Sequence, residues 1–148
     1  MEKHVFICML EALSCDIRAK GLNIRGCSPE QLYQLEKKYG HLPNYYKTYL
    51  TYFGLEAGDF KQGTSVLFDE LDDINECAQE LMLENQIAPP LSMFAFLLHQ
   101  GYSTLFFTDV QNDDPPVYCY TEGDCIKDLG YSFSACIAAE IEEYRRYN

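Results

Sequence analysis

Three histidines, seven cysteines and 23 acidic side chains are the residues of this 148-residue chain that could do chemistry. A cysteine and a histidine within reach of each other make a nucleophile and its base. Here that pairing would be Cys119 with His99, on strands expected to be neighbours. A buried cysteine beside a strand-end histidine also has a plainer reading, as structure, and that reading is preferred. His4 sits beside the terminus, and His41 falls in a turn between two helices, where capping accounts for it.

Metal chemistry is no better supported. Asp109, Asp113 and Asp114 share one loop region, but the spaced ligands and bidentate glutamate of a calcium loop are missing. Cys119 and Cys125 with His99 or Cys136 lack a zinc spacing. Carboxylate pairs for glycoside hydrolysis are defined by a three-dimensional separation, and among 23 acids some pair always qualifies. No P-loop, dinucleotide-binding glycine pattern or nucleophile elbow is present. The expectation is a non-enzymatic protein with no cofactor and no metal.

Charge is the strongest bulk signal. The 23 acids against 11 bases give a net charge of −12. Binding a phosphate backbone needs a lysine and arginine footprint, so nucleic acid is excluded as a partner. An acidic surface keeps a protein soluble and can steer a basic partner onto it. Twelve tyrosines and nine phenylalanines exceed what one small core readily hides. Tyr45, Tyr52, Tyr102 and Tyr120 are expected on outer faces, where tyrosine suits a protein interface.

The cysteine count is odd and contains no C-x-x-C spacing, which points to reduced thiols in a cytoplasmic protein. The first residues lack the apolar core and cleavage site of a signal peptide, and no stretch approaches the roughly 20 apolar residues of a membrane span.

The elements that must position these residues are punctuated most clearly between Ser28 and Gly54. Ser28, Pro29 and Gln31 make a capping box with proline in the first turn. Leu32, Leu35 and Tyr39 share one helical face, and Gly40 ends that helix. Pro43 opens a second helix whose apolar face is Tyr46, Tyr49, Leu50 and Phe53. Before this pair, Val5, Met9, Ala12, Leu13 and Ile17 predict a helix over 3–20. After it, Thr64 to Phe68 suits a short strand, and Leu71, Ile74, Ala78, Leu81 and Met82 define a helix from about Leu71 to Asn85. Acids crowd the beginning of that helix, where the helix dipole favours them. Met93–His99, Thr104–Val110 and Val117–Thr121, with short turns between them, predict an antiparallel meander. Ser132 to Tyr147 closes the chain as an amphipathic helix. By length and pattern the chain is one α+β domain, residues 1–148, with helices covering one face of the sheet.

The order Glu30, Leu32, Leu35-Glu36, Tyr39-Gly40, Leu42-Pro43, Tyr46-Lys47, Tyr49-Leu50 and Gly54 resembles the signature of the SUKH superfamily. That group includes fungal cell-wall-assembly regulators and bacterial immunity proteins against secreted toxins. Phe94–Leu98, Leu105–Asp109, Pro116-Val117-Tyr118 and Ser132-Phe133-Ser134 follow in the order of the same pattern, so the likeness covers residues 28–144. The chain departs from it in having no tryptophan and in carrying Phe53-Gly54-Leu55 where Asn-Gly-Gly is often found.

The resemblance implies an immunity protein that neutralises a basic toxin domain, commonly a nuclease or deaminase, by occupying its surface. The loop residues Glu56, Asp59, Phe60, Asp109, Asp113, Asp114, Glu122 and Asp124 are the candidates for that binding face. A regulatory adaptor like the fungal proteins is the first alternative. A small hydrolase using carboxylates or the Cys119–His99 pair is the second. Nothing in the sequence distinguishes a monomer from a weak homodimer.

Overall fold

A computed structural model describes residues 1–148. Five helices and six strands follow in the order α1 (Lys3–Ala19), β1 (Ile24–Arg25), α2 (Pro29–Tyr39), α3 (Asn44–Phe53), β2 (Glu56–Ala57), α4 (Leu71–Glu84), β3 (Phe94–His99), β4 (Ser103–Phe107), β5 (Pro116–Thr121), β6 (Lys127–Ser132) and α5 (Phe133–Arg146). Strands β3 to β6 form one antiparallel sheet in sequential order, and β1 pairs with β2 as a separate small ribbon. This is the expected α+β architecture.

The punctuation around α2 and α3 acts as its chemistry dictates. The Gln31 amide donates to Ser28 Oγ at 3.2 Å while the Ser28 amide donates to Gln31 Oε1 at 2.8 Å, completing the capping box. Gly40 ends α2 at φ +87°, a conformation that glycine adopts without strain. The Glu36 carboxylate then ties the two helices together. It accepts from the Leu42 amide at 2.8 Å and from Lys47 Nζ at 3.1 Å. Burial works to raise its pKa, but that amide and the lysine outweigh it and hold the group below its ordinary value.

Helices α1, α3 and α5 run parallel to one another. At their starts, Phe6 stacks on Tyr45 at 5.3 Å and meets Phe133 edge-on at 6.3 Å. Further along, Tyr52 bonds Glu11, and near the ends Arg145 pairs with Asp16 and Lys20 reaches Tyr144. The three N-termini therefore gather at one end, where their free amides need acceptors. The β4–β5 connection supplies them for α3 and α5. The Asp113 carbonyl takes the Tyr45 amide at 3.0 Å, and the Pro115 carbonyl takes the Phe133 amide at 2.8 Å. The Asp114 carboxylate accepts from the Ser134 amide at 2.8 Å and from its hydroxyl at 2.6 Å.

The core joins these helices to the sheet through aromatic rings. Tyr46 lies 5.5–6.1 Å from Phe94, Phe96, Phe107 and Phe133. A bulge at Phe96 interrupts the β3–β4 register, and both Phe94 and Phe96 stack on Phe107, at 5.5 and 5.6 Å. The Leu97 carbonyl beside the bulge accepts from Thr104 Oγ1 at 2.8 Å.

The outer edge of β3 is closed by a helix and a loop. Asn75, a buried side chain of α4, accepts from the Ala95 amide at 2.8 Å and donates to the Ala95 carbonyl at 3.0 Å. Its carboxamide does there what a neighbouring strand would do. Further along, Ser65 and Leu98 exchange both backbone hydrogen bonds at 2.9 Å. The segment expected as a strand over Thr64–Phe68 is thus a single bridge at Ser65, followed by a 3-10 turn over Phe68–Glu70.

Three other expectations change. A fourth meander strand, β6, follows the three that were predicted. It is a polar edge strand with a register shift against β5 and Gly130 at φ +77°, so it lacks an apolar alternation to announce it. On α1 the buried stripe is Phe6, Leu10, Leu13 and Ile17, while Val5 is 46% exposed. Two adjacent stripes compete there, and the bulkier one takes the core. Tyr120, expected outside, is fully buried.

At the far end of the parallel helices, Lys20 Nζ donates to Asp59 at 3.1 Å, to the Tyr144 hydroxyl at 2.8 Å and to Asn148 at 2.9 Å. Tyr144 donates to Asp59 at 2.6 Å. That hydroxyl above all, then Lys20, holds the Asp59 carboxyl below its usual value against the opposing effect of burial.

Three outcomes follow from these contacts. Replacing Asn75 by Ala leaves the Ala95 amide and carbonyl unpaired inside the protein, at about 1–3 kcal/mol each, and lowers the urea midpoint accordingly. The Tyr46 hydroxyl is buried with no protein partner, so Tyr46→Phe leaves stability unchanged or raises it by up to about 1 kcal/mol. A depressed folded pKa stabilises above the unfolded value and loses that stabilisation as pH falls through the folded value. Tyr144→Phe is therefore less stable than the native chain at pH 7, and urea titrations from pH 7 down to about 2 show the difference shrinking below about pH 4.

Candidate functional site

The eight residues expected to form a binding face do not form one patch. Asp109, Asp113 and Asp114 lie in the β4–β5 connection beside the helix N-termini. Glu122 and Asp124 lie in the β5–β6 turn, at the other end of the meander, and Glu56 and Asp59 follow the C-terminal end of α3. Most of them are engaged within the fold. Glu56 pairs with Arg25 at 3.1 Å, Asp59 with Lys20 and Tyr144, and Asp124 with Lys127 at 2.8 Å, while Asp114 caps α5. Asp109, Asp113 and Glu122 remain exposed with carboxylates free of protein partners. Phe60 is a correction. It is 3% exposed and packs against Phe53 and Tyr144, so it offers no contact surface.

The Cys119–His99 pair does not assemble. His99 Nδ1 is 2.8 Å from Thr64 Oγ1, and its ring meets Tyr102 edge-on. Cys119 Sγ lies instead beside the hydroxyls of Ser103, at 3.9 Å, and Thr121, at 3.7 Å. Strand β4 separates the strands that carry the two residues. Elsewhere, burial pushes the Cys27 thiol up to about 11 and the Cys136 thiol up to about 12, which keeps both protonated and poorly nucleophilic. No group of three or more His, Cys, Asp or Glu side chains is arranged to hold a metal ion.

What the fold does present is a concentration of charge. Between Lys61 and Lys127 the chain contains no lysine or arginine, yet it holds 12 of the 23 acids. The other 11 acids are matched by all 11 bases, so the whole net charge of −12 belongs to residues 62–126. These residues build α4 and strands β3 to β5 with their connections. The remainder, carrying α1, α2, α3 and α5, is neutral and laced with ion pairs such as Lys47–Glu36 and Lys61–Glu140.

On α4 the charge has a direction. Ile74, Asn75, Ala78, Leu81 and Met82 face inward, leaving Asp73, Glu76, Glu80 and Glu84 exposed along the outer face beside an exposed Leu83. None of these four carboxylates has a cation within ion-pair distance, whereas Asp72 pairs with Lys38 at 2.7 Å. The macrodipole accounts for acids in the first turn only, and near the C-terminus it opposes them. Glu76, Glu80 and Glu84 also stand four residues apart, a spacing at which like charges repel. The row is felt locally. Burial first, then Glu80, Asp73 and Glu76, raises the Cys77 thiol pKa.

Sequence reasoning set aside the acids at the start of this helix because the dipole explains them, and it missed Glu80 and Glu84. The signal that would have found the face is the run of 65 residues without a base between Lys61 and Lys127.

Two comparisons, one with curated proteins and one with solved structures, give no match. No helix of the structure is long and apolar enough to cross a membrane. A family model, SMI1 / KNR4 family (SUKH-1), matches residues 26–139, which run from the approach to α2 into α5 and include the α2–α3 pair, α4 and the whole meander. The chain belongs to the SMI1/KNR4 (SUKH-1) family.

Proposed function

We infer that this protein is a cytoplasmic, non-enzymatic immunity protein that neutralises a basic toxin domain by occupying its substrate-binding surface. A nuclease or nucleic-acid deaminase is the class of toxin whose working surface is basic, because it must hold a phosphate backbone. The observation that carries the reading is the unpaired carboxylate row on α4, within a segment that holds the entire net charge. A row of exposed acids with no internal cation raises the association rate of a basic partner and excludes nucleic acid from the surface it covers. Blockade of this kind needs no turnover and no nucleophile.

The test is reconstitution with the partner captured from the native cells and released by rising salt. Stoichiometric addition of this protein abolishes the partner's nuclease or deaminase activity. The Glu76→Lys/Glu80→Lys/Glu84→Lys variant associates at least about tenfold more slowly at low salt. Its thermal midpoint is unchanged or higher, because lysines repeat the like-charge spacing but suit the C-terminal end of the helix dipole and face the remaining acids Asp72 and Asp73. Full inhibition by the variant at an unchanged rate would remove α4 from the mechanism. A captured set of regulatory or envelope-synthesis proteins, with no toxin among them, would favour the adaptor reading.

A further inference from the structure

Helix α1 buries Phe6, Leu10, Leu13, Ser14 and Ile17, and its opposite face turns to solvent. The solvent face of a helix is ordinarily polar. Along this one Val5, Cys8, Ala12, Cys15 and Ala19 alternate three and four residues apart, and all of them are exposed. Met1 and Leu22 are exposed just beyond the two ends. Such a spacing marks the a and d positions of a heptad repeat, the seam along which one helix meets another. The stripe that lost the competition for the core is left with no partner inside the chain.

The charges beside the stripe say what covers it. Glu11 and Arg18 flank it on one side, at g positions, and Asp16 flanks it on the other, at an e position. Glu11 accepts from the Tyr52 hydroxyl at 3.0 Å and Arg18 donates to the Ser14 hydroxyl at 3.0 Å, but neither has an ion-pair partner in its own chain. The other three arginines each pair with a carboxylate. Flanking charges select both the partner and its direction. Two parallel copies of α1 would set Glu11 of each against Asp16 of the other, and like charges would oppose. In an antiparallel pair, Ala12 lies level with the partner's Cys15 and Cys8 with the partner's Ala19, larger against smaller. The same alignment brings Val5 to the partner's Leu22 and sets Glu11 against the partner's Arg18.

We propose that a second copy of this chain covers the stripe, the two α1 helices packing antiparallel about a twofold axis level with Leu13 and Ser14. Twofold symmetry makes every contact twice, including the Glu11–Arg18 pair. The lysine, arginine and two acids of α1 sum to zero, so this face meets its copy without the repulsion that a net charge of −12 imposes elsewhere. Alanine and cysteine at the centre let the axes approach to the lower end of the roughly 8–10 Å range. The seam is short and its central side chains are small, which sets the dissociation constant on the order of 100 μM. It uses none of the residues in the α4 row.

The experiment is sedimentation equilibrium of the whole chain from about 10 μM to about 1 mM, where the dimer fraction should rise through one half. Glu11→Arg and Arg18→Glu each weaken association at least about tenfold, because each sets like charges against one another twice. The double variant Glu11→Arg/Arg18→Glu exchanges the charges and restores association to within about threefold of the native chain. Both side chains are exposed, so circular dichroism and the thermal midpoint stay native throughout. Direction is read separately, after Cys8→Ser, Cys77→Ser and Cys125→Ser have removed the other exposed thiols. Adding Ala12→Cys to that background then yields a covalent dimer under mild oxidation by diamide, and adding Cys15→Ser as well abolishes it. A chain that stays monomeric at about 1 mM, a double variant that does not recover, or dimers linked through Cys15 without Ala12→Cys would overturn the proposal.

Discussion

The Tyr46 ring is where the architecture is joined. It projects from α3 into a nest of four phenylalanines, two from β3, one from β4 and one from the first turn of α5. Aromatic pairs prefer edge-on and offset arrangements, so such a cluster fixes mutual orientation as well as burying area. The bulge at Phe96 belongs to the same constraint, since it lets successive phenylalanines of β3 cover one partner ring. With α3 and α5 seated, α1 docks through Phe6 and all three helices point the same way. Everything at the two ends of the molecule follows from that shared direction.

The acidic residues then divide into two populations. Asp114, Glu36, Glu70 and Asp59 are consumed by the fold, as acceptors for backbone amides, a lysine or a tyrosine hydroxyl. The acids on the outer face of α4 are not. They add repulsion to the helix that carries them, and nothing inside the chain offsets it. A surface whose charges are unused internally and unfavourable to its own helix is available to something outside the molecule. Within the reading of an immunity protein, that something is a basic surface which would otherwise hold nucleic acid.

Much of the fold was legible because it is written in local signals. Ser28, Gln31, Gly40 and Pro43 announce helix ends through backbone chemistry that does not depend on distant residues. The strands β3, β4 and β5 announce themselves by apolar content. What was not legible depended on tertiary context. Strand β6 is polar and at an edge, and Thr64–Phe68 forms one bridge rather than a ladder because Asn75 already occupies the neighbouring stretch of β3. Phe60 and Tyr120 sit beside turn residues in sequence but under other elements in space. The candidate face was hidden for a different reason. The dipole explains the acids in the first turn of α4, Glu80 and Glu84 pass for an ordinary solvated face, and it is the missing bases over the surrounding 65 residues that make the set unusual.

Because α4, β3 to β5 and their connections carry the whole net charge while the rest of the chain sums to zero, the centre of charge is displaced from the centre of mass. Such a body experiences a torque as well as a force when it nears a positively charged object, and small proteins rotate quickly compared with the time of an encounter. It is turned before it touches. Dissolved salt therefore governs which side arrives first, in addition to how often the two bodies meet, because screening beyond about 8–10 Å removes the gradient that does the turning. Neutral obstacles exert no such torque. In a crowded solution this chain is oriented only by the few large cations around it.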